Sequence, residues 1–440
     1  MSFSVKDIFK IEVAPALGCT EPVAIALGAA ACSFIAGDEK FESIHIKVSP
    51  NIYKNGIAVS IPGTNGLSGL DLSSALGAFG GDPLLKLEVL ASVDDPATEK
   101  AVDFVKNKKV MVDIEKEKTG VYIKTILKTD KNIYESVIEG LHDNIISLTK
   151  NKKPVKDSPF VSKDYLSSNG GTELLKLEAW LKEKSLDQLL DLVDDFDNED
   201  LKFLEKGVEY NLALADYGLK HGSGLGIGKA LQRLVRQKLL TNDMVLAARM
   251  LTSAAADARM SGVKMPAMSS AGSGNHGLTA ILPIWAVKDF IDIDKETALK
   301  AIGFSHIITA YVKAYTGRLS AICGCSVAAG AGATAGITYL LGGDVKHISG
   351  AIKNLTEDLA GVICDGAKAG CALKLVTAGG AAVQAALFSL QGVIVEATDG
   401  IISDSPEQTM QNIGILSTKG MVETDRVILK IMVDKSLKPA

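Results

Sequence analysis

This sequence has few aromatic residues, little excess charge of either sign and no leader-like N-terminus. Aromatic residues make up 5% of its 440 residues, and the formal net charge is -5. Lysine and arginine are scattered rather than grouped in a stripe, which excludes the electrostatic surface that nucleic acid binding requires. The first residues, MSFSVKDIFKIEVAPALG, lack the unbroken apolar stretch of a secretory signal. We therefore expect a cytoplasmic protein that does not bind nucleic acid.

Charged residues are missing altogether from two long stretches, residues 319–343 and 375–395. Each stretch is long enough to span a membrane. Both consist largely of alanine and glycine rather than leucine, isoleucine and phenylalanine, and neither is flanked by an aromatic belt. Helices of this composition are typical of the tightly packed interior of a protein. We therefore predict buried helices and no membrane partner.

The hydrophobic pattern divides the chain into three parts and predicts an α+β fold. Residues 1–40 form an N-terminal helical segment, which we expect to pack on the helical domain. Residues 41–165 alternate apolar and polar positions between turns, which indicates a β-rich lobe with some helix. Residues 166–440 show helical periodicity and Ala/Gly-rich core helices, and a Ser/Gly-rich linker is predicted over 157–171. The prediction is a mainly helical C-terminal domain with a smaller β-rich N-terminal lobe.

The six cysteines are expected to be thiols or metal ligands, because disulfides are rare in cytoplasmic proteins. Three of them, Cys19, Cys325 and Cys364, are each followed at once by Thr, Ser or Asp and then by a long run of small apolar residues. This pattern places each sulfur beside a helix N-terminus; the first such helix is predicted over 14–36, with Thr20 as its cap. Unpaired amides and the helix dipole favour a thiolate there and stabilise an anionic cluster bound to it.

The spacing of these cysteines favours an iron-sulfur cluster over zinc. Zinc sites usually use paired ligands such as CxxC or HxxxH, and neither spacing occurs near them. Three dispersed thiolates suit a [4Fe-4S] cluster whose open iron acts as a Lewis acid. Cys325 is the preferred ligand of the CGC sequence, and Cys323 stays open as the alternative. Cys32 and Cys371 are predicted to fill the core, because both fall inside apolar helical patterns.

Two glycine-rich loops precede predicted helices. Residues 269–277 combine small hydroxyl and amide donors directly before an apolar helix, a pattern that suits a carboxylate or phosphate. Residues 221–229 resemble a dinucleotide fingerprint, but no strand precedes them, which favours a helix connector that approaches the active site. The candidate substrate-binding residues are Ser269, Ser270, Ser273, Asn275 and Arg318.

Lys368 and His276 are the candidate catalytic residues. A lysine in the first turn of a helix is disfavoured by the helix dipole, so Lys368 is expected to have a partner such as the cluster or a substrate carboxylate. Arg318, just before the CGC sequence, is expected to serve the same purpose. The sequence leaves the general base open, since His221, His276 and Lys368 all qualify.

Four long motifs carry a family resemblance: GCTEPVAIALGAA, SSAGSGNHG, TGRLSAICGCSVAAGAGATAG and ICDGAKAGCALK. With these motifs in this order, the chain resembles the L-cysteine desulfidase family, whose helical domain is related to the alpha domain of iron-sulfur L-serine dehydratases. The resemblance implies a [4Fe-4S] cluster bound by Cys19, Cys325 (or Cys323) and Cys364.

The resemblance also implies the reaction, which converts L-cysteine to hydrogen sulfide, ammonia and pyruvate. Serine dehydratases have an additional cysteine at or near their C-terminus, whereas this chain ends IMVDKSLKPA, which favours the desulfidase. The alternatives are an L-serine dehydratase, a lyase for another β-substituted amino acid, and a non-catalytic cluster-binding protein. The expected partner is a small amino-acid substrate, and the expected assembly is a homodimer.

Overall fold

The computed structural model describes residues 2–64, 66–155, 158–161 and 173–436, and it confirms the predicted α+β fold. A β-rich lobe precedes a larger helical domain in the chain. The linker predicted over 157–171 lies outside the described residues except for 158–161.

The N-terminal segment contributes to both parts of the molecule. Helix α1 (Val5–Glu12) packs on the helical domain, whereas α2 (Thr20–Ala36) lies in the core of the lobe. Between them, β1 (Pro15–Leu17) pairs antiparallel with β8 (Pro266–Met268) of the helical domain. The helix predicted over 14–36 is therefore wrong at its start, because this strand pairing binds the residues that precede Thr20. The sequence predicts that residues 1–40 pack as one segment on the helical domain. In the structure only the part up to β1 does so, and α2 belongs to the lobe.

The lobe is built on a six-stranded mixed sheet with the strand order β3-β2-β4-β5-β6-β7. Strands β2 and β3 are parallel, and the other neighbouring pairs are antiparallel. Alternate residues of β4 are buried, as the period of two predicts. Helices α2 and α4 pack against each other, and α2 also packs on β4 and β5. The elements are β2 (Phe41–Val48), α3 (Pro50–Gly56), α4 (Leu70–Gly80), a 3-10 segment (Pro83–Ser92), α5 (Asp95–Lys106), β3 (Val110–Ile114), β4 (Tyr122–Thr129), β5 (Ile133–Glu139), β6 (Ile145–Lys150) and β7 (Lys153–Pro154).

The helical domain surrounds the two central helices α12 and α13. Its helices are α6 (Glu173–Lys182), α7 (Leu186–Asp191), α8 (Asn198–His221), α9 (Ile227–Arg236), α10 (Met244–Met260), α11 (Gly274–Lys288), α12 (Lys295–Thr316), α13 (Gly324–Leu340), α14 (Val345–Leu359), α15 (Cys371–Leu390), α16 (Pro406–Ile415) and α17 (Val422–Ser436). The small residues of α13 allow a close helix contact: a Cβ on Gly336 would lie 2.6 Å from the carbonyl oxygen of Ala301 in α12. This contact explains the Ala/Gly-rich composition.

Of the described helices, α15 alone is long and apolar enough to cross a membrane by length and composition. It packs against α10, α13 and α14, and 61% of its most apolar window is buried inside the protein. Helix α13, which comes from the other uncharged stretch, is buried along nearly its whole length. Both helices thus occupy the interior positions that their Ala/Gly composition predicts.

Candidate active site

A cavity of about 90 Å³ lies where the lobe meets the helical domain. Residues from α2, from the turn after β5, and from the segments that precede α11, α13 and α15 line it. These segments are far apart in the sequence, and the fold brings five cysteines to the wall of one cavity. The five are Cys19, Cys323, Cys325, Cys364 and Cys371.

Cys19 occupies the N-cap position of α2 and is almost fully buried. The preceding Gly18 has a φ of 76°, in the left-handed region that favours glycine, and its carbonyl oxygen accepts a hydrogen bond from the Arg259 guanidinium. The Cys19 thiol donates to the Glu21 carboxylate at 2.9 Å. Burial, and then the nearby Glu21 carboxylate, raise the pKa of Cys19. Cys19 follows β1 by two residues, so the pairing of β1 with β8 places this cysteine beside the helical domain.

The CGC sequence opens helix α13, with Cys323 at the N-cap and Cys325 in the first turn. The sequence predicts a helix that begins just after Cys325. In the structure the helix begins two residues earlier, at Gly324, so that Cys323 takes the cap position. Glycine is required between the two cysteines, since a Cβ at Gly324 would lie 2.8 Å from Cε1 of His276. A hydrogen bond from the Cys325 thiol lowers the pKa of Cys323 to about 5, and the same contact raises the pKa of Cys325.

Cys364 lies in an extended segment held beside the CGC sequence rather than at a helix start. Ile322 and Ile363 form an isolated antiparallel bridge, in which the Cys323 amide donates to the Val362 carbonyl at 2.9 Å. The Cys364 amide donates to the Ala321 carbonyl at 2.6 Å. This bridge fixes the spacing of Cys323 and Cys364.

The helix predicted to start at Asp365 begins instead at Cys371. The Asp365 carboxylate does not cap a helix, because it pairs with the ammonium groups of Lys368 and Lys374, each at 2.5 Å. These contacts lower the pKa of Asp365 to about 2, against the opposing effect of burial. The prediction that Cys371 is a core residue inside the helix is wrong, because Cys371 is the first helical residue and lines the cavity.

Lys368, a predicted catalytic residue, does not line the cavity. Its ammonium group pairs with Asp365 and donates to the Gly366 carbonyl at 3.2 Å. Lys374, one turn into α15, does line the cavity and donates to the Ile363 carbonyl at 2.6 Å. The partner expected for Lys368 is therefore the neighbouring carboxylate.

The substrate loop predicted over 269–277 is divided between structural and cavity-facing residues. The Ser269 hydroxyl donates to the Ala14 carbonyl at 2.6 Å and thereby binds the segment that leads into β1. The Ser270 hydroxyl lies 2.9 Å from Nδ1 of the buried His306. Neither serine lines the cavity, because both hydroxyl groups point into the surrounding fold.

Ser273, Asn275 and His276 do line the cavity, at the N-terminus of α11. The Ser273 side chain makes no capping hydrogen bond to the first turn of α11, and the Arg259 guanidinium packs against Gly274 at the same helix end. The Asn275 amide oxygen accepts from Arg259 at 2.9 Å. His276 Nδ1 lies 3.2 Å from the Ser270 carbonyl, a contact that places the proton on Nδ1 and leaves Nε2 as an acceptor. Burial holds the pKa of His276 well below its usual value.

Positive charge dominates the ionisable side chains around the cavity. Apart from the histidines and cysteines, four cations, Arg259, Lys313, Arg318 and Lys374, face it, against one carboxylate, Glu21. Arg318 is neutralised by Glu12 and Glu178 behind the wall, with hydrogen bonds to Glu12 at 2.7 and 2.5 Å and to Glu178 at 3.0 Å. The expected substrate-binding Arg318 is thus already engaged with two carboxylates.

Lys313 is a buried cation without a carboxylate partner among the described residues. It belongs to α12, and its ammonium group donates to the Arg318 carbonyl at 3.0 Å. Burial, and then the positive charge of Arg318, lower the pKa of Lys313 to about 8. The sequence analysis missed this residue, although it is the one charged residue in the apolar run from 301 to 316.

The second glycine run, residues 221–229, does not line the cavity. The buried Asp257 carboxylate accepts from the Leu225 amide and from the Gly228 amide, both at 3.2 Å. A side chain of the protein itself therefore occupies the anion site at the start of α9, so the loop connects helices and does not reach the site.

Five cysteines and four cations face this one cavity. Within the described residues, no three His, Cys, Asp or Glu side chains are grouped so as to hold one metal ion. A [4Fe-4S] cluster does not require several ligands around one metal atom, because each cysteine binds a separate iron. Dispersed thiols and an excess of positive charge are compatible with an anionic cluster.

The sequence pattern of the serine dehydratase alpha chain family matches residues 99–430. The chain belongs to this family. It is similar to a UPF0597 protein of Desulfotalea psychrophila, with 62% identity over 438 residues, and to one of Desulfatibacillum aliphaticivorans, with 58% identity over 440 residues; each alignment covers 100% of both chains. A UPF0597 protein of Clostridioides difficile is 45% identical over 429 residues, which cover 97% of this chain and 99% of that protein.

The serine dehydratase alpha chain match contains four of the five cavity cysteines and begins within α5 of the lobe. Cys19 lies outside the matched residues, and it reaches the site through the β1–β8 pairing. The candidate site of this family member therefore combines the matched domain with the N-terminal segment.

Proposed function

We propose that this protein is an iron-sulfur-dependent L-cysteine desulfidase. Membership of the serine dehydratase alpha chain family supports a lyase-type reaction. The observation that carries the proposal is that Cys19, the CGC sequence and Cys364 meet at one cavity from three distant parts of the chain. That cavity is small and lined by cations, which suits the carboxylate of a small amino acid bound beside a cluster.

In this proposal Cys19, Cys364 and one cysteine of the CGC sequence hold a [4Fe-4S] cluster. Cys325 is the preferred third ligand and Cys323 the alternative. When bound, the cluster supplies an open iron that acts as a Lewis acid toward the β-substituent of the substrate. The remaining task of the protein is to orient the amino acid and to move protons.

Lys313 and the uncapped N-terminus of α11 are proposed to bind the substrate carboxylate. Within the described part of the chain, the Lys313 ammonium group donates to the Arg318 carbonyl alone, and it retains donor capacity toward the cavity. Ser273 and Asn275 line the same cavity. Cations at the carboxylate also acidify the α-hydrogen, because they stabilise the negative charge that develops when it is removed. His276 is retained as a candidate for proton transfer.

The experiment is an anaerobic assay of the reconstituted protein with L-cysteine, in which sulfide and pyruvate are both measured. Equal amounts of sulfide and pyruvate are expected. L-serine is assayed in parallel, because the family match is to the serine dehydratase alpha chain and L-serine dehydration is the second candidate function. If the protein turns over L-serine in clear preference to L-cysteine, L-serine dehydration replaces L-cysteine desulfuration as the proposed activity. Release of pyruvate from neither amino acid would overturn both.

A further inference from the structure

Within residues 41–64, 66–155 and 158–161, which follow α2, His142 is the one titratable side chain that lines the cavity. It lies in the turn between β5 and β6, which the motif analysis did not single out. The turn is held by its own hydrogen bonds: the Asn144 amide donates to the Leu141 carbonyl at 3.2 Å, and the Asn144 side chain donates to the Glu139 carbonyl at 2.8 Å. These bonds hold the backbone of the turn that carries His142 to the cavity wall.

The His142 side chain is 7% exposed, and its Nε2 has no hydrogen-bond partner among the residues that the structure describes. A buried polar atom without a partner is costly unless it serves a ligand. The nearest carboxylate, that of Glu21, has its Oε1 3.8 Å from this nitrogen. Burial lowers the pKa of His142, and the Glu21 carboxylate opposes that effect, so the neutral imidazole predominates at neutral pH.

A second cavity of about 230 Å³ adjoins the first, and the two share Leu141, His142 and Gly272 in their linings. His142 therefore stands between the cysteine-lined cavity and this outer one. A proton taken up by its ring on the inner side can pass to water on the outer side without crossing the substrate.

We propose that His142 is a catalytic base that removes the α-proton of the amino-acid substrate, and that Glu21 stabilises the resulting imidazolium. This assignment rests on the proposed β-elimination. The Cα–H bond breaks and the proton moves to Nε2, while its electron pair forms the Cα=Cβ bond. The Cβ–S bond breaks and its electron pair leaves on sulfur as hydrosulfide. The aminoacrylate takes a proton at Cβ to become an imine, which water hydrolyses to pyruvate and ammonia.

His276 and Lys313 also line the cavity but are less suited to this step, and Lys374 is paired with Asp365. His276 has Nδ1 engaged with the Ser270 carbonyl, and its ring packs against the backbone at Gly324. Lys313 has cationic Arg318 beside it, and we assign it to the substrate carboxylate. His142 combines a free nitrogen with a carboxylate placed to stabilise the charged ring.

The test compares H142Q with the matched control H221Q in the reconstituted protein. His221 is exposed at the end of α8 and does not line the cavity. We expect H142Q to bind iron and L-cysteine like the wild type, with binding followed through the visible spectrum of the cluster. Its kcat is expected to fall by about 10²- to 10⁴-fold, and added imidazole is expected to restore part of the rate in H142A, where the smaller side chain leaves room for it. H221Q is expected to keep the wild-type rate.

An H142Q protein that releases pyruvate at the wild-type rate would overturn the assignment. Loss of iron or of L-cysteine binding in both H142Q and H142N, without rescue of H142A by imidazole, would likewise overturn it, in favour of a structural role. A wild-type protein that acts on no amino acid would overturn the proposed function and this assignment with it. A wild-type protein that is active while H142Q keeps its rate would overturn only the assignment.

Discussion

The Lys54 ammonium nitrogen lies 3.1 Å from the carbonyl oxygen of Cys364. Lys54 belongs to α3 of the lobe and is 1% exposed, whereas Cys364 belongs to the helical domain. The same ammonium group donates to the Ser320 carbonyl at 3.4 Å and pairs with Asp425 of α17. One buried cation thus joins the lobe, the segment before the CGC sequence, the Cys364 segment and the last described helix.

Replacing Lys54 by methionine is expected to lower the free energy of unfolding by about 3 kcal/mol, because Asp425 loses its buried partner and two carbonyls lose a charged donor. The control is K295M, which removes a pair between the exposed Lys295 and Glu205 and is expected to cost less than about 1 kcal/mol. Urea unfolding of the two variants measures the difference. Equal effects would contradict a specific role for Lys54 at the domain junction.

Replacing Gly324 by alanine is expected to destabilise the protein by about 1 to 3 kcal/mol, because the new methyl group overlaps the His276 ring. G361A is the matched control, since a Cβ at Gly361 meets nothing within 4 Å. Thermal unfolding of both variants under one set of conditions provides the comparison. A G324A protein as stable as G361A would show that the His276 ring does not occupy the position next to the CGC sequence.

Asp197 is expected to contribute stability that depends on pH. It caps α8 by accepting from the Glu199 and Asp200 amides, and it pairs with Lys6 at 2.6 Å. The hydrogen bond from Lys6 is the largest of the effects that lower the pKa of Asp197 from 3.8 to about 2. Because the folded state binds this proton more weakly than the unfolded state, the stabilisation is complete above about pH 4 and is lost as the pH falls through about 2.

The measurement is urea unfolding of the wild type and D197N between pH 2 and pH 6. The stability difference should be largest at the upper end and should shrink strongly toward the lower end. D216N changes a carboxylate on the exposed face of the same helix and serves as the control. A difference between wild type and D197N that stays constant across this range would contradict the assignment.

The sequence predicts the two parts of the molecule well, because the relevant signals are local. The alternation in β4 and the small-residue pattern of α13 follow from periods of two and 3.6 residues. The strand Pro15–Leu17 could not be predicted locally, since its partner lies about 250 residues further along the chain. That pairing, rather than helical propensity, decides where α2 begins.

All three cysteines that the sequence singles out as ligands line the cavity, whereas only some of the other candidate residues do. Cys19 and Cys364 line the cavity, and both stand in motifs with a chemical signal. Cys371 was missed because the start of α15 depends on ion pairs of Asp365 that the pattern does not reveal. His142 stands in no recognisable motif, and it reaches the cavity only because the lobe packs on the helical domain.

The most direct measurement is the iron content of single cysteine-to-serine variants after anaerobic reconstitution, with the visible absorbance as a second readout. C19S and C364S are expected to lose the cluster, and one of C323S and C325S is expected to lose it as well. C32S is the control, because Cys32 is buried in the middle of α2, away from the cavity. A C19S or C364S protein that keeps four irons per chain and full absorbance, like C32S, would contradict the account.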